Sequence, residues 1–165
     1  MTTVEVTQSI SLLAEEYQKA IENIKSKRDI WENTTHTLLN KTLTDIANSN
    51  KIGWHVQDFG MGRNLDTVNI SFGPNNSGLV VKDEKGTKAL VKHGGYLAFS
   101  TMYNGDISVY LSYPYVDEHM QRIPVRQLDR ISPESITVEY IVSMTKLFLA
   151  EMLAWEKGEK LKYGN

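Results

Sequence analysis

The stretch Tyr96–Tyr113, YLAFSTMYNGDISVYLSY, decides how this chain folds. It holds two alternating runs on either side of Asn104-Gly105, a turn dipeptide, and so reads as a β-hairpin. Turn length fixes the register, and register decides which side chains share a face. A two-residue loop would pair Phe99 with Tyr110 and Leu97 with Ser112, leaving apolar groups on the polar face. A three-residue loop, Tyr103-Asn104-Gly105 with a left-handed glycine, pairs Phe99 with Val109 and Leu97 with Leu111. The second arrangement places every large aliphatic residue of both strands on one side, and is the one expected.

Working back from the hairpin, short apolar runs are separated by turns rich in glycine, asparagine and aspartate. Strands are expected at Ile52–Phe59, Thr67–Gly73, Leu79–Lys82, Thr87–Lys92, Tyr96–Tyr103 and Asp106–Tyr113. Clean alternation implies an antiparallel sheet with one buried and one solvated face. By the chosen register the solvated face carries His55, Gln57, Asn69, Ser71, Tyr96, Ser100, Ser108, Tyr110 and Ser112. Solvated faces usually carry more lysine and glutamate. Tyrosine, serine and asparagine instead suit an adaptable recognition surface. His55, Asn69, Ser71, Tyr96, Ser108, Tyr110 and Ser112 are therefore the expected partner-binding residues.

Upstream of the sheet, residues 9–48 read as one long helix. Ile10, Tyr17, Ile24, Trp31 and Leu38 recur every seventh position, with Leu13, Ala14, Ile21, Leu39, Leu43 and Ile46 beside them. Thr7 or Ser9 is its expected cap. Forty helical residues span roughly 60 Å, whereas a globule of this size is about 40 Å across. The helix must either break or overhang. The stripe weakens at Arg28 and Thr35, so a kink or break is expected around residues 25–37. The part carrying Ile10, Leu13, Tyr17, Ile21 and Ile24 is the expected self-association surface, in a dimer for preference, while Leu38–Ile46 should join the core.

Downstream, residues 114–131 read as an irregular connection. Ser132-Pro133-Glu134 is a helix start, with serine as cap and proline at the first position. That helix should span about 133–157, ended by Gly158, with a frayed tail at 159–165. It is apolar on two sides: Ile141, Met144, Phe148, Met152 and Trp155 on one, Val138, Val142, Leu149 and Leu153 on the other. Two stripes call for two partners, the sheet and another helix.

The 165 residues suit a single domain. The expected class is α+β: an antiparallel sheet of five or six strands, with the long N-terminal helix and the C-terminal helix packed on one face. The chain has no cysteine, which excludes thiolate nucleophiles, cysteine zinc sites and disulfide frameworks. The N-terminal residues lack a basic leader with an apolar core, and no apolar run is long enough for a bilayer. A cytoplasmic protein with no membrane association is expected. Net charge is −2, so binding of nucleic acid mainly through phosphates is not expected.

Phosphate-loop, serine-elbow and zinc-helix motifs are missing. Gly60-Met61-Gly62-Arg63-Asn64 follows a strand and precedes another, which marks a tight hairpin. The best local cluster for chemistry is Asp117-Glu118-His119, where an extended backbone would aim Asp117 and His119 to one side. Such a pair could serve a small hydrolase, with a metal or without. Arg122, Arg126 and Arg130, alone or with Arg63, are candidate anion ligands, with ion pairs to Asp129 and Glu134 as the alternative. The reading leans away from an enzyme, and no cofactor or metal is expected. It favours a non-enzymatic, self-associating module that binds a protein or peptide, ahead of a hydrolase using Asp117 and His119 or a nucleic-acid-binding module.

Overall fold

The structure is a computed structural model, which describes residues 2–59 and 66–164. The expected hairpin at Gly60–Asn64, and Arg63 with it, lies outside these. The chain runs α1 (Thr3–Ile30), a π-helical turn (Trp31–Thr35), α2 (His36–Ser49), β1 (Trp54–Asp58), β2 (Thr67–Phe72), β3 (Asn75–Asp83), β4 (Gly86–His93), β5 (Tyr96–Thr101), β6 (Ile107–Ser112), β7 (Tyr115–Val116), β8 (Arg126–Ile131), a 3-10 turn (Pro133–Ser135) and α3 (Val138–Glu156). The class is α+β, as expected.

The β5–β6 hairpin has the three-residue loop. Phe99 faces Val109 and Leu97 faces Leu111. Met102 N–H donates to the Asp106 carbonyl at 2.8 Å, and Gly105 has φ +83°, a value glycine adopts without strain. Val68, Ile70, Leu97, Phe99, Val109 and Leu111 all point to one side and are fully buried. α2 and α3 close that side through Leu39, Leu43, Ile141 and Phe148, with Trp54, Phe72 and Phe148 in successive ring contact.

The strands divide differently from expectation. The main sheet is antiparallel and five-stranded, in the order β1-β2-β5-β6-β8, and β3, β4 and β7 form a separate three-stranded sheet. β2 and β5 pair directly, so the β3–β4 hairpin is an excursion between neighbours. Gly73-Pro74 starts it and Gly94-Gly95 ends it. The return corner has no room for side chains: a Cβ on Gly94 would lie 2.1 Å from the Phe72 carbonyl oxygen, and one on Gly95 2.4 Å from Met152 Sδ. Most of β3 and β4 is exposed on both faces, because neither strand meets a second apolar layer.

Residues 114–131 are correspondingly more regular than expected. β7 pairs with β4, and β8 forms the edge of the main sheet beside β6. Charged residues Arg126, Asp129 and Arg130 hide β8 from a hydropathy reading, yet suit an edge strand that must not recruit another chain.

The helices carry three corrections. α1 begins at Thr3, capped by a reciprocal Thr2–Glu5 box rather than by Thr7 or Ser9. No break interrupts residues 25–37; one π-helical turn at Trp31–Thr35 absorbs the change of phase. It turns both Trp31 and Thr35 inward, and Thr35 Oγ1 donates to the Pro133 carbonyl at 3.0 Å. Ser132 precedes only a 3-10 turn, and Thr137, accepting from Tyr140 N–H, caps α3.

The C-terminal tail is docked, not frayed. Lys162 and Tyr163 N–H donate to the buried Glu151 carboxylate at 3.1 and 3.4 Å. Arg126 Nε donates to the Tyr163 carbonyl at 3.0 Å. Tyr113 Oη also donates to Glu151, and burial, followed by this contact, raises the phenol's pKa. Local sequence cannot show that capture, because Glu151 sits on an otherwise apolar helix turn.

Candidate functional site

Two surfaces stand out: the distal part of α1 and the face of the main sheet turned away from the helices. In α1 every residue is exposed except Ile24, Lys27 and Ile30, which are half-buried. The helix spans about 42 Å, and its ties to the globule sit at the C-terminal end. Lys27 Nζ meets Asp106 Oδ1 at 2.7 Å, and Arg28 Nη2 donates to the Tyr103 carbonyl at 2.8 Å. Arg130 Nε reaches Asp106 Oδ2 at 2.7 Å. The bond from Lys27, then those from Arg130 and Asn104, hold the Asp106 carboxyl below its ordinary pKa of 3.8 against the opposing effect of burial. Ahead of this clamp Ile10, Leu13 and Tyr17 are 62–64% exposed, and Val6 and Ile21 over 40%. A stripe this long on an isolated helix is far from the scattered single apolar residues of ordinary surfaces.

On the sheet the register brings the expected residues together. His55, Ser71, Tyr96 and Ser112 form one cross-strand row; Gln57, Asn69, Ala98, Tyr110 and Gln127 form the next. Thr67, Ser100 and Ser108 make a third, in which Thr67 Oγ1 and Ser100 Oγ share a hydrogen bond at 2.8 Å. Tyr96 and Tyr110 meet edge to face at 6.2 Å. Burial, and secondarily Tyr96, raises the Tyr110 phenol's pKa. The face is less wet than its composition suggests. Asn69 and Ser112 are buried, while His55 is exposed. Asn69 is 6% exposed, and its Oδ1 has no hydrogen-bond partner among the described residues. A buried carbonyl without a donor is rare and costly.

The other expected groupings do not form. Asp117 Oδ2 pairs with His93 Nε2 at 2.9 Å; His119 is exposed. His93 stacks on Tyr115 at 4.6 Å and Arg122 lies over the same ring at 5.0 Å. Arg122, Arg126 and Arg130 thus attend Tyr115, the Tyr163 carbonyl and Asp106 respectively, and converge on no common anion site. The reason is that β8 and the loop before it distribute them over different neighbours. His36 meets Asp58 on β1 at 3.0 Å. No group of three or more metal-ligating side chains occurs among the described residues.

Two apolar features escaped the sequence reading. A cavity of about 280 Å³ opens where the Gly94-Gly95 corner meets α3, lined by Ile52, Phe72, Leu149, Met152 and Leu153 among others. The Lys92–Glu156 ion pair involves two more of its lining residues. α2 is the helical neighbour that the two-sided α3 required, but it leaves Val138 and Leu153 about half exposed.

The chain matches no family model, no curated protein and no solved structure. No helix among the described residues is long and apolar enough to cross a membrane.

Proposed function

We propose that this chain is a non-enzymatic, self-associating module, a cytoplasmic homodimer that docks a protein or peptide partner. The observation that carries the reading is the bare stripe of α1. In proteins most helical stability comes from tertiary packing of an apolar face, yet here only the last turns of α1 are anchored. Val6, Ile10, Leu13, Tyr17 and Ile21 stand clear of the globule along its stripe, with Val4 and Leu12 exposed beside them. Covering them with a second protein surface supplies the packing that the helix lacks. The sheet face offers the partner site: the half-buried Ser71, Tyr96, Ser108 and Tyr110, with the exposed His55, present hydroxyl groups and an imidazole rather than carboxylates or ammonium groups.

Size-exclusion chromatography with light scattering tests the reading. A dimer at micromolar concentration is expected, converted to monomer by the pair Ile10→Ser and Tyr17→Ser with the globule still folded. A wild-type monomer at that concentration would remove the support.

A further inference from the structure

We infer that α1 pairs antiparallel with α1 of a second copy, placing Leu13 against Tyr17 of the partner subunit across a twofold axis. This deepens the self-association reading and rests on it. Val6, Ile10, Leu13, Tyr17, Ala20 and Ile24 are spaced alternately four and three apart, the core positions of a coiled coil. In the antiparallel register Ile10 sits opposite the partner's Ala20, and the partner's Val6 reaches only the edge of the half-buried Ile24, so Tyr17 meets leucine rather than its own copy. A parallel pair would instead set Tyr17 against its own copy and leave Ala20 facing alanine.

The clamp at the base of α1 supplies an independent reason. The same stripe continues into Ile24 and Lys27, and there the chain's own β5–β6 turn already occupies it. A Cβ on Gly105 would lie 2.8 Å from Lys27 Cβ and 3.1 Å from the Ile24 carbonyl oxygen. A parallel partner would bring its helix, and its own globule, into that space. An antiparallel partner ends there, with only its helix tip alongside the turn.

Helix dipoles run in opposition in this pairing. The arrangement is isologous and closes on itself. The exposed stripe of two helices would bury on the order of 1,000 Å², the lower bound for a specific interface. One contact opposes it, since Glu16 flanks the axis beside the partner's Glu16.

The absence of cysteine from the chain makes the test direct. Ala14 flanks the axis next to its own copy in this pairing, whereas Val6 is about 27 Å from its copy. In a light-scattering dimer, Ala14→Cys should form an interchain disulfide under mild oxidation and Val6→Cys should not. Glu16→Gln should tighten association several-fold. The reverse disulfide pattern, or a dimer in which neither variant cross-links, would overturn antiparallel pairing while leaving self-association standing. A monomer would overturn both.

Discussion

Lys27 Nζ lies 2.7 Å from Asp106 Oδ1, and this ion pair joins the last turns of α1 to the turn of the central hairpin. Arg130 binds the other Asp106 oxygen. One carboxylate thus ties the base of the helix to both the hairpin turn and β8.

Asp106→Ala should therefore loosen α1 more than the sheet. Charge-assisted hydrogen bonds to a largely buried carboxylate justify a loss of about 1–2 kcal/mol. Hydrogen exchange should quicken first at Ile24–Ile30, with β5 and β6 protected. The pH dependence follows from the lowered pKa of Asp106. A carboxyl with a lower pKa folded than unfolded stabilises above its ordinary value of 3.8, and this is lost as pH falls through the folded value. Wild-type α1 should loosen below about pH 4, and the Asp106→Ala chain should lack that step.

Glu151→Ala should release the tail and leave the Tyr113 hydroxyl buried without its acceptor. Losing a buried charged acceptor and its donors costs about 2–4 kcal/mol. Urea unfolding would measure the loss. Limited proteolysis should cut after Lys160 or Lys162 in the variant well before the wild type.

Asn69→Val should raise stability by about 1 kcal/mol, since it removes an unpaired buried carbonyl and places a β-branched residue in a strand. If the sheet face docks a partner, the same variant should bind it more weakly. A fall in stability in urea would instead show that the amide is paired.

The order in which these features became legible has a physical basis. Alternation in Tyr96–Tyr113, with Asn104-Gly105 between the strands, was enough to choose the register, because the wrong pairing puts leucine and phenylalanine in water. The open-face rows followed from that choice. The Thr2–Glu5 capping box is written in the sequence as a threonine three residues before a glutamate, although the heptad stripe begins only several residues later. The Asp117–His119 pairing failed because β7 turns Asp117 toward His93, a neighbour 24 residues away.

The sequence by itself determined the α+β class, the hairpin register and the bare stripe on the first helix, since each is a local period or a turn preference. Only the tertiary structure decided which strands share a sheet, how Trp31–Thr35 joins two helical phases without a break, and that Glu151 captures the tail. Those outcomes depend on contacts between residues far apart in the chain, where space at Gly94-Gly95 or a donor for one carboxylate selects among alternatives that local sequence leaves equal. The anchoring of α1 belongs with them: its apolar stripe is written in residues 6–24, but the contact between Lys27 and Asp106 ties its last turns to the hairpin.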